Sequence, residues 1–253
     1  MLIKEFDEYI RSFLPFAEMA KADSALNGLQ VGRENQEVTK IAFAVDASMA
    51  TFKQAKQEKA DLLFVHHGLF WGFDRPVIGN IRSRLKYLFD HDIALYAVHL
   101  PLDVAPVVGN NAGIADALEL TQQEPFGIYH GVKIGIKGRL AASASLEEIS
   151  SMLFGNTGIH PGTLPFGKDQ VSTIGIVSGG AAMNAFDAIN DGLDLYITGE
   201  SSHTVYHECL EAGLSVIFGG HYRTEVYGVQ AITEKCRADQ KLETVFIDIP
   251  TGL

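Results

Sequence analysis

Cysteine is scarce in this chain of 253 residues. Its two cysteines, Cys209 and Cys236, lie far apart in segments with helix-like patterns. Two distant cysteines make neither a disulfide framework nor a CxxC site. We therefore expect a fold without structural disulfides, and a reducing cytoplasm fits this composition best.

Basic residues are also few. There are 20 lysines and arginines against 31 acidic residues, which gives a formal net charge of −11, and no Lys/Arg cluster stands out along the chain. Non-specific affinity for nucleic acid comes from basic groups that neutralise phosphates. The charge therefore argues against nucleic acid as a partner, and only a local basic ring would still allow it.

Long apolar runs are missing as well. A membrane-spanning helix needs about 20 consecutive apolar residues, and no segment approaches that length. The N-terminal stretch MLIKEFDEYIRSFL carries acids among apolar residues at spacings of three and four, which predicts an amphipathic helix. It lacks the basic start and continuous apolar centre of a signal peptide. We therefore expect no membrane association.

Short apolar, β-branched runs alternate with segments of helical period, a pattern typical of an α/β protein with largely parallel strands. The strands in the N-terminal part are predicted at 41–45, 61–65 and 93–98. The helices that follow them are predicted at 48–59, around 81–89 and at about 111–120. Hydrophobic residues form 47% of the chain, which is enough for a full core.

The middle of the chain predicts a strand over Val132–Leu140 and then a helix. Ser145 and Glu148 have the spacing of a capping box at the start of that helix. The loop at 155–170 is rich in Gly and Pro and marks a boundary. The predicted organisation is a first half, residues 1–125, and a second half, residues 126–253.

The two halves resemble each other. Residues 172–200 align with residues 39–67 at a constant offset of 133, and LSVIFGGHYRTE at 214–225 aligns with IALYAVHLPLD at 93–103 after one insertion. In both copies a histidine stands four residues before a carboxylate. An internal duplication would explain this, and the alternative is that any two β-α-β units look alike.

Histidines and carboxylates gather where the predicted strands end. Ligands of open parallel sheets bind beyond the carboxyl ends of strands, and there the chain places these residues: His66 and His67 in FVHHGLFWG, His99, Asp103, Glu200, His221 and Glu225, with His203 and His207 just beyond. A single strand-end histidine is more often structural. The repeated pairs point instead to a metal site.

The types of donor atom restrict which metals would bind. Neighbouring residues leaving a strand point to opposite sides, so His66 and His67 suit two adjacent ions. Imidazoles with carboxylates favour Zn, Mn, Fe or Co over Ca or Mg. Two such ions activate a shared water for hydrolysis.

Other motifs are weaker. SGGA at 178–181 could cradle a phosphate or serve tight packing, and NGLQVG at 27–32 is expected to be an ordinary turn. Phe70, Trp71 and Phe73 could stack on a ring substrate, pack internally or form an oligomer contact. None of these would identify a function alone.

The motifs NGLQVG, FVHHGLFWG, HLPLDVAPVVGNN, TGE, GGHYRTE and FIDIP together resemble the GTP cyclohydrolase I type 2 homologue family, also called NGG-interacting-factor-like. The resemblance runs from about residue 24 to the C-terminus. It corresponds to the short bacterial form, without the domain that longer members insert in the middle.

This resemblance implies two intertwined three-layer α/β halves related by duplication around one dinuclear metal centre, and a toroidal hexamer built as a trimer of dimers. Two divalent transition-metal ions per chain, Zn, Fe, Mn or Co, are implied. Carried over by position, the ligands are His66, His67, Asp103, His221 and Glu225, with Glu225 as the bridge. His99, Glu200 and His203 are then expected to orient ligands or relay protons.

The family name implies hydrolytic opening of the imidazole ring of GTP with release of formate, so a metal-dependent hydrolase with a nucleotide substrate is favoured. One alternative is a metal-binding assembly or chaperone protein without GTP turnover. Another is a metal-dependent hydrolase of a different nucleotide or phosphoester.

Overall fold

The computed structural model describes residues 1–155, 158 and 160–253, and these form two compact units. The first unit comprises Met1–Ala105 and Gly228–Ile249, and the second comprises Pro106–Tyr227 and Pro250–Leu253. The predicted halves, 1–125 and 126–253, have other bounds and stay a prediction. Part of the predicted boundary loop, residues 156, 157 and 159, lies outside the described residues.

The first unit contains one five-stranded sheet. Its strands are β1 (Gly28–Val31), β2 (Lys40–Asp46), β3 (Leu62–His67), β4 (Ala94–Ala97) and β11 (Glu243–Phe246). They lie in the order β1-β4-β3-β2-β11, with β1 antiparallel to β4 and the other neighbours parallel. Since β2, β3 and β4 run parallel, their carboxyl ends meet at one edge of the sheet.

The helices of the first unit connect and cover these strands. They are α1 (Ile3–Arg11), α2 (Phe16–Met19), α3 (Met49–Gln57), α4 (Gly79–Asp90) and α5 (Leu100–Asp103), joined by the later part of α10 (His221–Gln240), which begins in the second unit. The predicted amphipathic N-terminal helix is confirmed, because α1 buries Ile3, Phe6 and Ile10.

Strand β3 is buried on both faces. Leu62, Leu63, Phe64 and Val65 have no exposed surface, as expected for a central parallel strand covered on both sides. Phe64 lies 5.9 Å from Tyr96 and 6.5 Å from Phe6, measured between ring centroids. Complete burial of a side chain such as Phe64 stabilises the fold by roughly 1.5–3 kcal/mol, and this packing fixes the strand that ends in the two histidines.

The second unit contains a mixed six-stranded sheet. Its strands are β5 (Thr121–Tyr129), β6 (Val132–Ala144), β7 (Thr163–Leu164), β8 (Val171–Ile176), β9 (Leu195–Thr198) and β10 (Ser215–Phe218). The order is β5-β6-β8-β9-β10-β7, in which β8, β9 and β10 are parallel and the other pairs antiparallel. Since β8, β9 and β10 run parallel, their carboxyl ends also meet at one edge of the sheet, as those of β2, β3 and β4 do.

The helices of the second unit are α6 (Asn110–Ala117), α7 (Leu146–Phe154), α8 (Ala185–Asn190), α9 (Tyr206–Ala212) and the start of α10, with 3-10 turns at Ala182–Asn184 and His203–Val205. The predicted capping box is confirmed. The Ser145 hydroxyl accepts from the backbone N–H of Glu148, and the Glu148 carboxylate accepts from the backbone N–H of Ser145.

Four of these strands were not predicted from the sequence, β1, β5, β7 and β11, and β7 lies within the predicted loop at 155–170. NGLQVG is not a simple turn, because Gly28–Val31 form edge strand β1 with a register shift between Leu29 and Val31. The pattern also gave no strand at Thr121–Tyr129, since most of that segment is polar and exposed. It becomes a strand through pairing with β6, so its neighbour, not its periodicity, decides its conformation.

The strand registers of the two units follow the same offset as the sequence repeat. Ile41 pairs with Leu62 between β2 and β3, and Ile174 pairs with Leu195 between β8 and β9, at positions 133 residues later. The strand pairing in the two units is therefore consistent with the sequence alignment. Common descent of the two halves stays a prediction.

Among the described residues, no helix has both the length and the apolar character needed to cross a bilayer.

Candidate metal centre

Three histidines lie together at the carboxyl edge of the first unit's sheet. Strand β3 ends with His66 and His67, and His99 follows strand β4. One nitrogen from each imidazole lies within 4.8 Å of the others, a spacing that could hold a metal ion. The rings of His66 and His67 are 4.6 Å apart, so their opposite directions along the strand do not separate them as far as the strand pattern predicts.

Each of these imidazoles is anchored through Nδ1. His66 Nδ1 lies 2.9 Å from the carbonyl oxygen of Val98, His67 Nδ1 lies 2.9 Å from Asp46 Oδ1, and His99 Nδ1 lies 2.8 Å from Asp23 Oδ1. Carbonyl and carboxylate oxygens only accept, so Nδ1 donates in all three bonds. The lone pair then resides on Nε2, the tautomer suited to metal ligation.

Asp23 is the buried partner of His99. Its side chain is 1% exposed, and it also accepts from the backbone N–H groups of Ala25 and Leu100 and from the Asn27 amide. Burial opposes ionisation, but the bonds from His99, Asn27 and Ala25 outweigh it and hold the pKa of Asp23 below its ordinary value. Asp23 therefore stays ionised at neutral pH and fixes the orientation of His99.

Asp103 lies in the same unit as the three histidines. It ends helix α5 in a buried position, and its Oδ1 lies 3.5 Å from His66 Nε2. A buried carboxylate beside a buried imidazole nitrogen is a mixed oxygen and nitrogen donor pair, as transition metals prefer. The donor types of the first unit thus fit such an ion.

A second donor pair lies at the start of helix α10 in the second unit. His221 and Glu225 are one turn apart on one helix face, with His221 Nε2 3.1 Å from Glu225 Oε1. His221 Nδ1 lies 2.6 Å from Oε1 of Glu200, which follows strand β9. Glu200 thus orients His221 as Asp46 orients His67.

The electrostatics of this pair favour cation binding. Burial lowers the pKa of His221, but the hydrogen bonds and negative charges of Glu225 and Glu200 outweigh burial and raise that pKa to about 9. Two carboxylates around one imidazole create a field that attracts positive charge, whether a proton or a metal ion.

Glycines of the SGGA and TGE motifs pack tightly against this pair. A Cβ atom on Gly179 would collide with the Glu225 carboxylate, and one on Gly199 would lie 2.8 Å from the backbone of His221. The Gly179 N–H donates to Thr224 Oγ1 at 3.0 Å. The close approach of the backbone to Glu225 explains Gly179, so packing is the better-supported interpretation of SGGA.

The remaining predicted residue, His203, is exposed at the start of a 3-10 turn, and it lies outside the donor groups formed by the described residues. Asp23, Asp46 and the Val98 carbonyl were not predicted from the sequence. Asp46 had a usable signal, since it ends strand β2 beside the end of β3. Asp23 had none, because it lies in a loop far from His99 in the chain.

The fold and the donor groups define a class: a mixed α/β protein whose histidine and carboxylate side chains could hold a metal ion. The Duf34/NIF3 (NGG1p interacting factor 3) family model matches residues 1–252, and the chain belongs to this family. The resemblance inferred from the motifs is thereby confirmed.

Relatives and solved structures agree with this assignment. The chain is 42% identical to a GTP cyclohydrolase 1 type 2 homolog of Treponema pallidum, covering 100% of both chains, and 43% identical to one of Archaeoglobus fulgidus, covering 97% of this chain and 98% of the other. Its fold matches the crystal structure of TTHA1606 from Thermus thermophilus with a TM-score of 0.88, 40% identity and full coverage of both chains. It also matches reduced HcgD from Methanocaldococcus jannaschii with a TM-score of 0.83, 29% identity and 98% coverage of both.

Proposed function

We propose that this protein is a metal-dependent hydrolase of a nucleotide, with opening of the imidazole ring of GTP and release of formate as the candidate reaction. The observation that carries the proposal is the set of Nδ1-anchored histidines, His66, His67 and His99, since one ring nitrogen of each lies within 4.8 Å of the others. The names of the relatives supply the candidate reaction.

The proposed centre uses five ligands, His66, His67, Asp103, His221 and Glu225, around two ions of Zn, Fe, Mn or Co. The donor types support this choice, since imidazole and carboxylate suit these metals. That the two units serve one centre, with Glu225 as the bridge, rests on the family resemblance. When bound, such a pair of ions supplies a water made acidic enough to ionise near neutral pH.

The protein's own groups have two further tasks in this reaction. Asp46 and Glu200 keep His67 and His221 in the orientation that presents Nε2. His99, held by the ionised Asp23, is placed to take up a proton at Nε2 from the attacking water and to pass it to the ring nitrogen that leaves when the imidazole opens. Between these two steps His99 is positively charged, and Asp23 stabilises that charge through the Nδ1 hydrogen bond.

Elemental analysis and formate release test the proposal together. Purified protein should contain about two transition-metal ions per chain, and metal-loaded protein should release formate from GTP. Glu225→Gln should abolish release, whereas Glu234→Gln, on the exposed side of the same helix beside Arg237, should not.

Each alternative has its own outcome in these assays. Metal-loaded protein that releases no formate but cleaves other phosphoesters would identify a different hydrolase. Tight metal binding without turnover of any substrate would favour the assembly or chaperone role. Protein that cannot be loaded with metal would contradict the proposed centre itself.

We further propose a toroidal hexamer, a trimer of dimers, in the cytoplasm. The hexamer rests on the family resemblance, and the cytoplasmic location rests on the cysteine usage and the missing apolar run. Exposed apolar side chains near helix α4 of the first unit offer a surface for assembly: Phe73, Val77, Ile78 and Phe89.

A further inference from the structure

Trp71 is the single tryptophan of the chain, and it lies beside the histidine cluster of the first unit. Its ring centroid is 5.0 Å from that of His99, at an interplanar angle of 75°, and 6.1 Å from that of His67. The side chain is half-buried. An aromatic ring with some exposed surface therefore borders the imidazoles of the proposed centre.

The indole is held in place by its own loop. Trp71 Nε1 donates to the carbonyl oxygen of Gly68 at 3.2 Å, and Gln30 Oε1 accepts from the backbone N–H of Leu69 at 2.7 Å. Gly72 follows with a φ of +73°, where an added Cβ would lie 2.8 Å from the carbonyl oxygen of Ser24. The loop is thus fixed on both sides of Trp71, and the ring is preorganised.

The aromatic neighbours of Trp71 in the chain have different surroundings. Phe70 packs against the hydrophobic core of the first unit, and Phe73 is 65% exposed. The aromatic contacts of Trp71, in contrast, are with polar imidazoles. A rigid, half-exposed indole at a polar site is suited to bind a flat ring at small entropic cost.

We propose that Trp71 is the platform on which the purine ring of the substrate stacks. This inference rests on the proposed function, because it assigns the residue that holds the base of that substrate at the same site. Stacking of a base on an aromatic side chain contributes enough to change affinity by roughly tenfold or more. Orientation of the ring against His99 would follow from the fixed angle of the indole.

Two probes separate the base from the rest of a nucleotide. Guanosine 5′-monophosphate and ribose 5-phosphate share the sugar and the phosphate and differ in the purine. Because Trp71 is the single tryptophan, its fluorescence reports directly on this loop in metal-loaded protein. The monophosphate should quench it saturably, and ribose 5-phosphate should bind at least about tenfold more weakly.

Variants then assign the effect to the indole, with binding measured by equilibrium dialysis. Trp71→Leu should weaken binding of guanosine 5′-monophosphate about tenfold and leave ribose 5-phosphate unchanged, and Trp71→Phe should retain affinity within about threefold. Phe73→Leu is the control for a neighbouring exposed aromatic ring and should bind like the wild type. Metal content, measured in every variant, separates lost stacking from a lost metal site.

The inference is overturned if wild-type protein does not bind guanosine 5′-monophosphate, if it binds both probes equally, or if Trp71→Leu binds the monophosphate like the wild type. Failure of the proposed function is recognised separately. It would leave the stacking result intact and would show instead as missing metal or as missing formate.

Discussion

One acceptor at the Nδ1 atom sets the orientation of each clustered imidazole, those of His66, His67 and His99. For His67 that acceptor is Asp46, whose side chain is 37% exposed. Its position at the end of β2 makes it a residue that orients a ligand without supporting the core. Its effect on the metal can therefore be measured apart from folding.

Asp46→Ala should lower metal affinity by about 10–100-fold, because His67 loses the partner that fixes its tautomer and orientation. Competition with a chromogenic chelator measures the affinity. Asp90→Ala, which breaks an exposed pair with Lys86, is the control and should bind metal like the wild type. Equal affinities in the two variants would show that Asp46 does not orient the ligand.

Gly179 is a second position at which a single residue affects the geometry of the site. It has a φ of +68°, and a Cβ there would strike the Glu225 carboxylate. Gly192 has a similar φ of +64° with open space around the Cβ position. Alanine variants of Gly179 and Gly192 therefore separate the cost of a left-handed backbone from the cost of a collision with Glu225.

Gly192→Ala should lower the free energy of unfolding by about 1–2 kcal/mol through the left-handed backbone alone. Gly179→Ala should lower the free energy of unfolding by more than this, and it should also reduce metal content, because Glu225 must move. Urea unfolding and elemental analysis measure the two effects. A normal metal content in Gly179→Ala would mean that Glu225 is not needed to retain the metal.

At the scale of single elements, helix α7 depends on its capping box. Ser145→Ala should destabilise the protein by about 1 kcal/mol, because the N–H of Glu148 loses its acceptor. Ser151→Ala, on the exposed face of the same helix, should be neutral or slightly stabilising. Thermal unfolding measures the stability of both variants. Equal melting temperatures would show that the capping box does not stabilise the protein.

Aspartates join the starts of parallel strands in both units. Asp194 Oδ2 accepts from the backbone N–H groups of Ser172 and Thr173, while its Oδ1 lies 2.6 Å from Lys168 Nζ. Asp61 makes the equivalent backbone bonds 133 positions earlier, to Thr39 and Lys40. Burial raises the pKa of Asp194, but these bonds outweigh it and hold the pKa below its ordinary value.

A pKa that is lowered on folding adds stability above the unfolded value, and this stability is lost as the pH falls through the folded value. The free energy of unfolding of the wild type should therefore fall between about pH 5 and pH 3. In Asp194→Asn that fall should be smaller, because the amide does not titrate. Urea titrations at each pH measure the slopes.

Asp191→Asn breaks the pair of a more exposed carboxylate with Lys137. As the control for the Asp194 variant, it should change stability at pH 7 by less than about 1 kcal/mol. Parallel slopes for the wild type and Asp194→Asn would show that Asp194 does not contribute to acid stability.

At the scale of the whole molecule, the proposed hexamer predicts a mass by light scattering six times that of the chain. Phe73→Asp should lower this mass, because a charge placed in an apolar contact is left without a partner. Lys53→Asp adds the same group on the polar surface of α3 and should leave the mass unchanged. A monomeric wild type would contradict the assembly.

Much of the fold could be predicted because local periodicity in the sequence indicates its strands and helices. Short apolar runs gave β2, β3 and β4, and Ser145 with Glu148 gave the start of α7. Strands β1 and β5 could not be predicted in this way, since the first is four residues long and the second is mostly polar and exposed. Both exist because a neighbouring strand completes their hydrogen bonds.

The sequence by itself determined the family, the parallel strands and the histidines and carboxylates placed at their ends. Only the tertiary structure decided what holds those side chains. The anchors of His66, His67 and His99 come from positions 32, 21 and 76 residues away in the chain. The physical reason is that periodicity records which face of an element is buried, whereas a hydrogen bond between distant residues depends on how the elements pack.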